Sequence, residues 1–483
     1  MAWIAIQSVP GWIDASYETV LLLARWTPVL FVFALGACVG SLINVIAYRV
    51  PLGLDIVSPP SRCPSCETRL TWRENIPILG WLIWRGRCRY CKSRISPEYP
   101  LVELAVALLF AGLYVLWYVV PDPVAYAPDR GVWFGIDWSA IKPEWAQSGA
   151  GLTWPAFVVC VALVGSLAAM TLVDAKTFTI PLFLPWFATI VALVAHPLHA
   201  LWIQKSTGHL PRVARGWLWT IPTPAPKAPS DAWWWIGACG GAVIGLGVSL
   251  VLVRTGLIRR SFADYEEWEQ RHVEAQRSQG SDSGSTGRND AEGGTDNPTE
   301  MWVAYPHARR EMVKELAFLG PPALLGIAGG WLAHRLTETP GPMVDPETGV
   351  AQITSGPLPD LWLLVLAGVV LGYLAGGALV WGVRIFGSLA FGKEAMGLGD
   401  VHLMAAVGAC LGWIDATLAF FAAAFVGLFW AVVVGPLSGG KVPRALPYGP
   451  YLAIATFLVM VTKPLIERLI TLLAHAEVPI NIP

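Results

Sequence analysis

The sequence predicts an all-α polytopic integral membrane protein with about eight to ten transmembrane helices. Three observations predict it. Of 483 residues, 55% are hydrophobic and 14% charged, against about a quarter charged in soluble domains. The apolar residues gather into runs of the roughly 17–25 residues that a helix needs to cross a bilayer. Tryptophan, 25 in all, clusters in stretches such as DAWWWIGACG (231–240) and GWLIW (80–84), as interfacial anchors do.

In chain order the expected spans are 28–48, 99–119, 154–173, 180–203, 232–255, 316–334, 360–385, 416–436 and 449–470, with a shorter apolar helix at 401–413. Residues 1–24 contain no Lys or Arg, so the first run lacks the basic region of a signal peptide and is expected to remain as an anchor. The net charge of −1 says nothing about nucleic acid, and no nucleic-acid partner is expected; the distribution of charge is more informative. Between Arg49 and Pro97 lie nine basic residues, Arg49, Arg62, Arg69, Arg73, Arg85, Arg87, Arg89, Lys92 and Arg94. The positive-inside rule puts that loop in the cytoplasm.

Counting spans forward from that loop gives a parity argument. The third span returns to the cytoplasm at TLVDAKTFTIP, which places Asp174 at the inner membrane edge. The fifth returns with Arg254, Arg259 and Arg260, and the sixth leaves from a segment with Arg309, Arg310 and Lys314. The seventh returns with Arg384 and Lys393, just ahead of Asp400; if 401–413 crosses, Lys441 and Arg444 also fall inside. Asp174 and Asp400, far apart in sequence, are therefore expected on one face at similar depth.

A carboxylate at membrane depth costs several kcal/mol unless it pairs or lines a wet cavity, so it is a functional candidate. Either Asp alone could simply cap a helix at the interface. Two at one level, one of them behind Gly397-Leu398-Gly399, point to chemistry. Neighbouring carboxylates do not both ionise easily, so they share a proton. One can then act as base on a water and its partner as acid toward a scissile carbonyl. The glycines Gly397 and Gly399 would let an extended substrate backbone come close. No Ser-His-Asp pattern or HExxH motif competes.

The basic loop carries Cys63-x2-Cys66 and Cys88-x2-Cys91, two knuckles separated by 21 residues. Thiols in a cytoplasmic loop stay reduced, and four thiolates at this spacing suit a closed, structural zinc site. The loop thus reads as a small cytoplasmic zinc-binding domain with four cysteine ligands. Cys38, Cys160, Cys239 and Cys410 are isolated on apolar helices and read as small core residues. His196 and His199 fall near the outer side and read as structural.

These residues together resemble the type IV prepilin peptidases, a family of GxGD-type aspartyl proteases that double as N-methyltransferases. GSLINVIAYRVP (Gly40–Pro51) is similar to the family's first-helix exit. The paired CxxC loop followed by ISPEYPLVEL (Ile95–Leu104) is similar to its cytoplasmic domain and second-helix entry. LVDAKTFTIP (Leu172–Pro181) resembles the first aspartate motif, GLGDVHL (Gly397–Leu403) the second, and LPYGPYLAIA (Leu446–Ala455) the last helix. The resemblance implies a multi-pass enzyme of the bacterial inner membrane whose active site faces the cytoplasm. Asp174 and Asp400 would form its catalytic pair. It also implies prepilin or pseudopilin substrates cut after a short basic leader, with methylation of the new N-terminus by S-adenosylmethionine. Pilus or secretion assembly machinery would be a partner. No Gly-rich fingerprint marks a site for the methyl donor.

Three departures accompany the resemblance. Ile180-Pro181 is followed by Leu182 where the family usually has Asp, and His402 stands where a Lys is common; His402 reads as a tolerated interfacial residue. The third is extra length. The expected organisation is an N-terminal helix (1–48), the zinc loop (49–98), a bundle with the first Asp (99–203), an inserted region (204–358) and a bundle with the GxGD motif (359–483). The insertion holds two spans, an even number that preserves the side on which Asp400 emerges. They are joined by a charged helix at 262–277 and a disordered Ser/Gly/Asp linker at 278–299, read as a tolerated connection. A transporter relaying protons through paired carboxylates and a membrane assembly scaffold are the competing readings; neither explains the cysteines and glycines together.

Overall fold

In the computed structural model, the described residues are 11–58, 60–120, 149–207, 229–262, 308–338, 359–392, 394–434 and 447–475, with short pieces between them. Eleven helices account for nearly all of them: α1 (Gly11–Arg49), α2 (Leu79–Ile83), α3 (Glu98–Tyr114), α4 (Ala150–Thr177), α5 (Phe183–Thr207), α6 (Pro229–Arg254), α7 (Ala308–Thr337), α8 (Leu361–Phe391), α9 (Leu398–Leu411), α10 (Trp413–Phe429) and α11 (Gly449–Leu473). Among the described residues, extended pairing is confined to two antiparallel pairs of two-residue strands, Val132–Trp133 with Ile136–Asp137 and Met343–Val344 with Ala351–Gln352, and to single bridges in the cysteine loop.

Among the described residues, 9 helices are long and apolar enough to cross a membrane, and they coincide with the expected spans, while Leu398–Leu411 is the shorter apolar helix. The outward faces of these helices carry large apolar side chains such as Leu30, Phe31, Leu324, Ile327 and Phe425. In a soluble protein such a surface would drive aggregation; here it is the face a lipid solvates. The protein is a multi-pass integral membrane protein.

The bundle has a centre and a flank. In α4, 72% of the span window is buried, and α9 is buried along nearly its whole length. Around α4 pack α1, α3, α5, α9 and α11, through a core of Phe110, Leu163, Met170, Leu403, Met404 and Leu452. Helix α9 crosses α8 where Gly372 and Gly408 put backbone against backbone, the small-residue contact by which membrane helices approach closely. Helices α6 and α7 form a hairpin on the flank, with 22% and 17% of their windows buried. Gly237 meets Gly329, Gly241 meets Leu325, and Gly245 meets Pro322, each at backbone contact. The hairpin leans on α8.

The expected linker at 278–299, most of the expected charged helix at 262–277, and Lys393, Lys441 and Arg444 lie outside the described residues.

Candidate active site

The last turn of α4 carries Asp174, and the way that helix stops positions it. The Asp174 carbonyl accepts the N–H of Phe178, 2.9 Å away, and Phe178 takes a left-handed conformation with φ 54°. That region is costly for a bulky side chain and signals a turn fixed by its surroundings. It sends Thr179-Ile180-Pro181 across the end of the bundle, where Ile180 lies against Gly399. A Cβ on Gly399 would sit 2.9 Å from the Ile180 Cβ. Gly399 is therefore required by packing against the other aspartate's own loop.

Asp400 lies in the first turn of α9, behind an extended Gly397 with ψ 147°. Its carboxylate accepts a hydrogen bond from the Gly397 N–H, and the charges of Asp174 and Arg384 reach it. Asp174 accepts the N–H of Gly449, the first residue of α11. A Cβ on Gly449 would lie 2.5 Å from Asp174 Oδ2, so no other residue fits there without displacing the carboxylate. Tyr448, half-buried, lies within electrostatic reach of Asp400. Three helix ends, from α4, α9 and α11, thus converge on one small region, and both carboxylates are buried, at 5% and 8% exposure. The parity count and the coordinates agree that the two acids share one end of the bundle.

Other buried carboxylates are present, and the sequence analysis did not single them out. Glu311 pairs with Lys314 at 2.6 Å, Glu315 with Arg384 at 3.1 Å, and Asp415 with Lys463 at 2.9 Å. Glu103 accepts the N–H of Ile78 at 2.6 Å. Burying a charge is tolerated when a counter-charge or donors meet it, and these four have structural partners. Asp174 and Asp400 differ: among the described residues neither is ion-paired, and the charge of Asp174 reaches Asp400.

The cysteine loop stands at the same end. It leaves α1 with Arg49 Nη1 donating to the carbonyls of Asp55 and Ile56, at 3.0 and 2.9 Å. It is fastened to α3 through Glu103, which accepts the Ile78 N–H, and beside it Asn44 of α1 donates to the Tyr99 carbonyl of α3 at 3.0 Å. Lys176, two residues after Asp174, reaches Glu98 at the start of α3, 2.9 Å away.

Inside the loop the two knuckles repeat one another. Cys63 donates its N–H to Thr68 and accepts from Glu67; Cys88 donates to Ser93 and accepts from Lys92. Glu67 and Lys92, at the same place in each turn, both have positive φ, 53° and 60°. The four sulfur atoms all lie within 4.8 Å of one another, and Cys63 and Cys91 are 3.8 Å apart. A tetrahedral ion with metal–sulfur bonds of about 2.3 Å needs sulfurs about 3.8 Å apart. Burial pushes the Cys63 thiol up, but the N–H groups of Ser65 and Cys66, with Ser93 and Cys88, outweigh it and bring it down to about 6. The hydroxyl and N–H of Ser93 hold Cys91 below the usual thiol range as well. The loop is a preformed four-cysteine site able to hold a metal ion.

Of the remaining expectations, His196 and His199 are buried on α5 against the carbonyls of Cys410 (3.3 Å) and Leu152 (2.7 Å), structural as anticipated. His402 is half-buried on α9 and is not among the groups acting on the Asp400 carboxylate. Gly397 is exposed, and a Cβ there would meet only ordinary contact distances. Arg384, counted from sequence among the positive charges of a cytoplasmic loop end, is instead buried at 3% exposure.

A polytopic membrane protein with a buried pair of acids at one end that make no ion pair among the described residues, next to a four-cysteine loop able to hold a metal, defines a narrow class. Comparison with known proteins resolves it further. Residues 34–117 match the Bacterial Peptidase A24 N-terminal domain, and residues 349–432 match the Type IV leader peptidase family. Both matches, in this order, support a type IV prepilin peptidase.

Among curated relatives, the prepilin leader peptidase/N-methyltransferase of Myxococcus xanthus is 59% identical over 80 residues, 17% of this chain and 24% of the relative. That of Klebsiella pneumoniae is 45% identical over 86 residues, covering 17% and 38%. That of Stutzerimonas stutzeri is 31% identical over 227 residues, covering 40% and 66%. The chain thus spans from about a quarter to about two thirds of these relatives. No solved structure matches. The family matches and the nine apolar helices among the described residues indicate an inner-membrane, multi-pass protein. Asp400 lies within the second matched segment, whereas Asp174 and the α6–α7 hairpin lie between the two.

Proposed function

We propose that this protein is a membrane aspartyl endopeptidase that removes the short leader from type IV prepilins or type II secretion pseudopilins, and that it N-methylates the new N-terminus. The observation that carries the peptidase reading is the convergence of Asp174 and Asp400 at one end of the bundle without a counter-ion. With one proton shared between them, the ionised carboxylate takes a proton from a water as its oxygen attacks the scissile carbonyl carbon. The other carboxylic acid gives its proton to the carbonyl oxygen. Collapse of the resulting diol then protonates the leaving amine and returns the pair to its starting state.

The exposure of Gly397 suits an extended peptide passing beside Asp400. On the positive-inside argument, the basic cysteine loop and the acid pair face the cytoplasm. Cys63, Cys66, Cys88 and Cys91 would hold zinc, which would fold the loop and take no part in the chemistry. The relatives' name N-methyltransferase implies a methyl donor, and S-adenosylmethionine is the donor proposed. Pilus or secretion assembly machinery is the partner expected downstream.

The reading is tested by co-expressing the full chain with a prepilin-like substrate. A mature product shortened by its leader, with one methyl group on its N-terminus by mass spectrometry, is the expected result. An intact substrate at high enzyme level contradicts the peptidase half; a shortened but unmodified product contradicts the methylation half. The transporter reading predicts no cleavage at all.

A further inference from the structure

The α6–α7 hairpin lies outside both family-matched segments, yet it reaches the loop that carries Asp400. Glu315, buried on α7, takes four hydrogen bonds. Arg384 Nε donates to both its oxygens at 3.2 Å, Arg384 Nη2 to Oε1 at 3.1 Å, and Trp381 Nε1 to Oε2 at 2.7 Å. The remaining face of the same guanidinium turns the other way. Its Nη1 donates to the Glu394 carboxylate and to the Met396 carbonyl, in the segment running directly into Gly397-Leu398-Gly399-Asp400. Ser388 Oγ, one turn further along α8, accepts the N–H of Ala395 at 3.0 Å. The Phe262 ring lies 5.4 Å below the Arg384 guanidinium, and the Phe262 N–H is held by Glu311 of α7 at 2.8 Å. Arg309 of α7 donates to the Leu389 carbonyl at 3.0 Å.

Arg384 therefore bridges a fixed partner and a loop. Glu315 and Arg384 are 4% and 3% exposed, whereas Glu394 is 44% exposed. A planar guanidinium with one face locked by a two-oxygen carboxylate has its other face fixed in direction. Without the Glu315 charge, a buried cation keeps only the half-exposed Glu394 as an ion-pair partner among the described residues. It would then turn toward Glu394 and water, and the Met396 carbonyl would lose its donor.

We propose that Glu315 is a positioning residue: through Arg384 it fixes the 394–399 loop and hence Asp400, which makes the α6–α7 hairpin a working part of the active site. Its catalytic consequence rests on the peptidase reading; its effect on the loop does not.

The test uses the full chain in lipid nanodiscs, as wild type and as Glu315→Gln, an isosteric change that removes the charge and turns one of the two acceptor oxygens into a donor. Two readouts are taken: kcat and KM for leader removal, and hydrogen–deuterium exchange across residues 392–399. The expected result is a kcat lowered about tenfold or more, with KM changed less than about twofold. Exchange should be faster in 392–399 and unchanged in α4 and α11. Glu315→Asp, which keeps the charge, should recover part of kcat; if Glu315→Gln does not fold, Glu315→Asp carries the test with an intermediate loss on both readouts. Wild-type kcat, a loss confined to KM, or unchanged exchange in the folded variant overturns the proposal. If the wild type itself cleaves nothing, the peptidase reading fails and exchange alone decides whether Glu315 positions the loop.

Discussion

The two halves of the site are held in different ways. Asp174 is fixed by shape: a left-handed Phe178 ends its helix, and Gly449 presses backbone against its carboxylate. Asp400 is fixed by charge as well, because its loop hangs from Arg384, whose other partner is on a peripheral helix. A steric half tolerates almost no substitution and responds little to distant change. An electrostatic half depends on a chain of partners, each of which can be weakened separately. The contrast shows how a hairpin on the flank of a bundle can acquire a say in its chemistry.

Experiments can break that comparison at several points. Apart from the carboxylates themselves, the largest effect is expected at Gly449. Its added methyl in Gly449→Ala would stand 2.5 Å from Asp174 Oδ2, and a displacement of about 1 Å costs about 100-fold in rate. A variant that cleaves at the wild-type rate would mean that Asp174 is not held sterically.

Chelation or Cys88→Ser comes next. Metal content should fall from about one ion per chain, measured by elemental analysis, with increased proteolysis of the 53–97 loop, since a thiolate site couples metal binding to folding. Retained metal in Cys88→Ser would remove the four-ligand assignment.

The two glycines before Asp400 should separate. Gly399→Ala must push on Ile180, whose Cβ would be 2.9 Å away, and should lower thermal stability. Gly397→Ala meets only ordinary contacts, Asp400 Oδ2 at 3.6 Å among them, and should leave stability unchanged while raising KM about tenfold if substrate passes there. Equal melting temperatures for the two variants would contradict the packing role of Gly399. The smallest effect is expected for His402→Lys, which restores the family's usual residue at a position that does not act on Asp400; activity should stay within about twofold.

Much of this architecture was legible from composition because a bilayer demands long apolar helices, and the spans follow hydropathy closely. The acid pair was legible by parity, since cationic loops tag one face and an even insertion preserves it. The four-sulfur loop was legible because the spacing of thiols is itself the ligand geometry. What was not legible depends on contacts between distant segments. Gly449 stood in a recognised motif, LPYGPYLAIA, but nothing local said that its missing side chain makes room for Asp174. Arg384 looked like one more interfacial cation, when its place in an apolar run was a signal of an intramembrane partner. Glu315 begins an apolar span and looked like a helix-end residue; only folding brings it to Arg384. Asp415 and Lys463 form a buried pair for the same reason, on α10 and α11.

The central claim, that Asp174 and Asp400 act together as the acid–base pair, is tested most directly by leader cleavage with Asp174→Asn and Asp400→Asn, each purified and checked for an unchanged thermal melt. Each variant should lose between about 100-fold and 10,000-fold in kcat, and the double variant should be no worse than the poorer single, as for residues acting as one unit. Full cleavage by either folded variant would contradict the account.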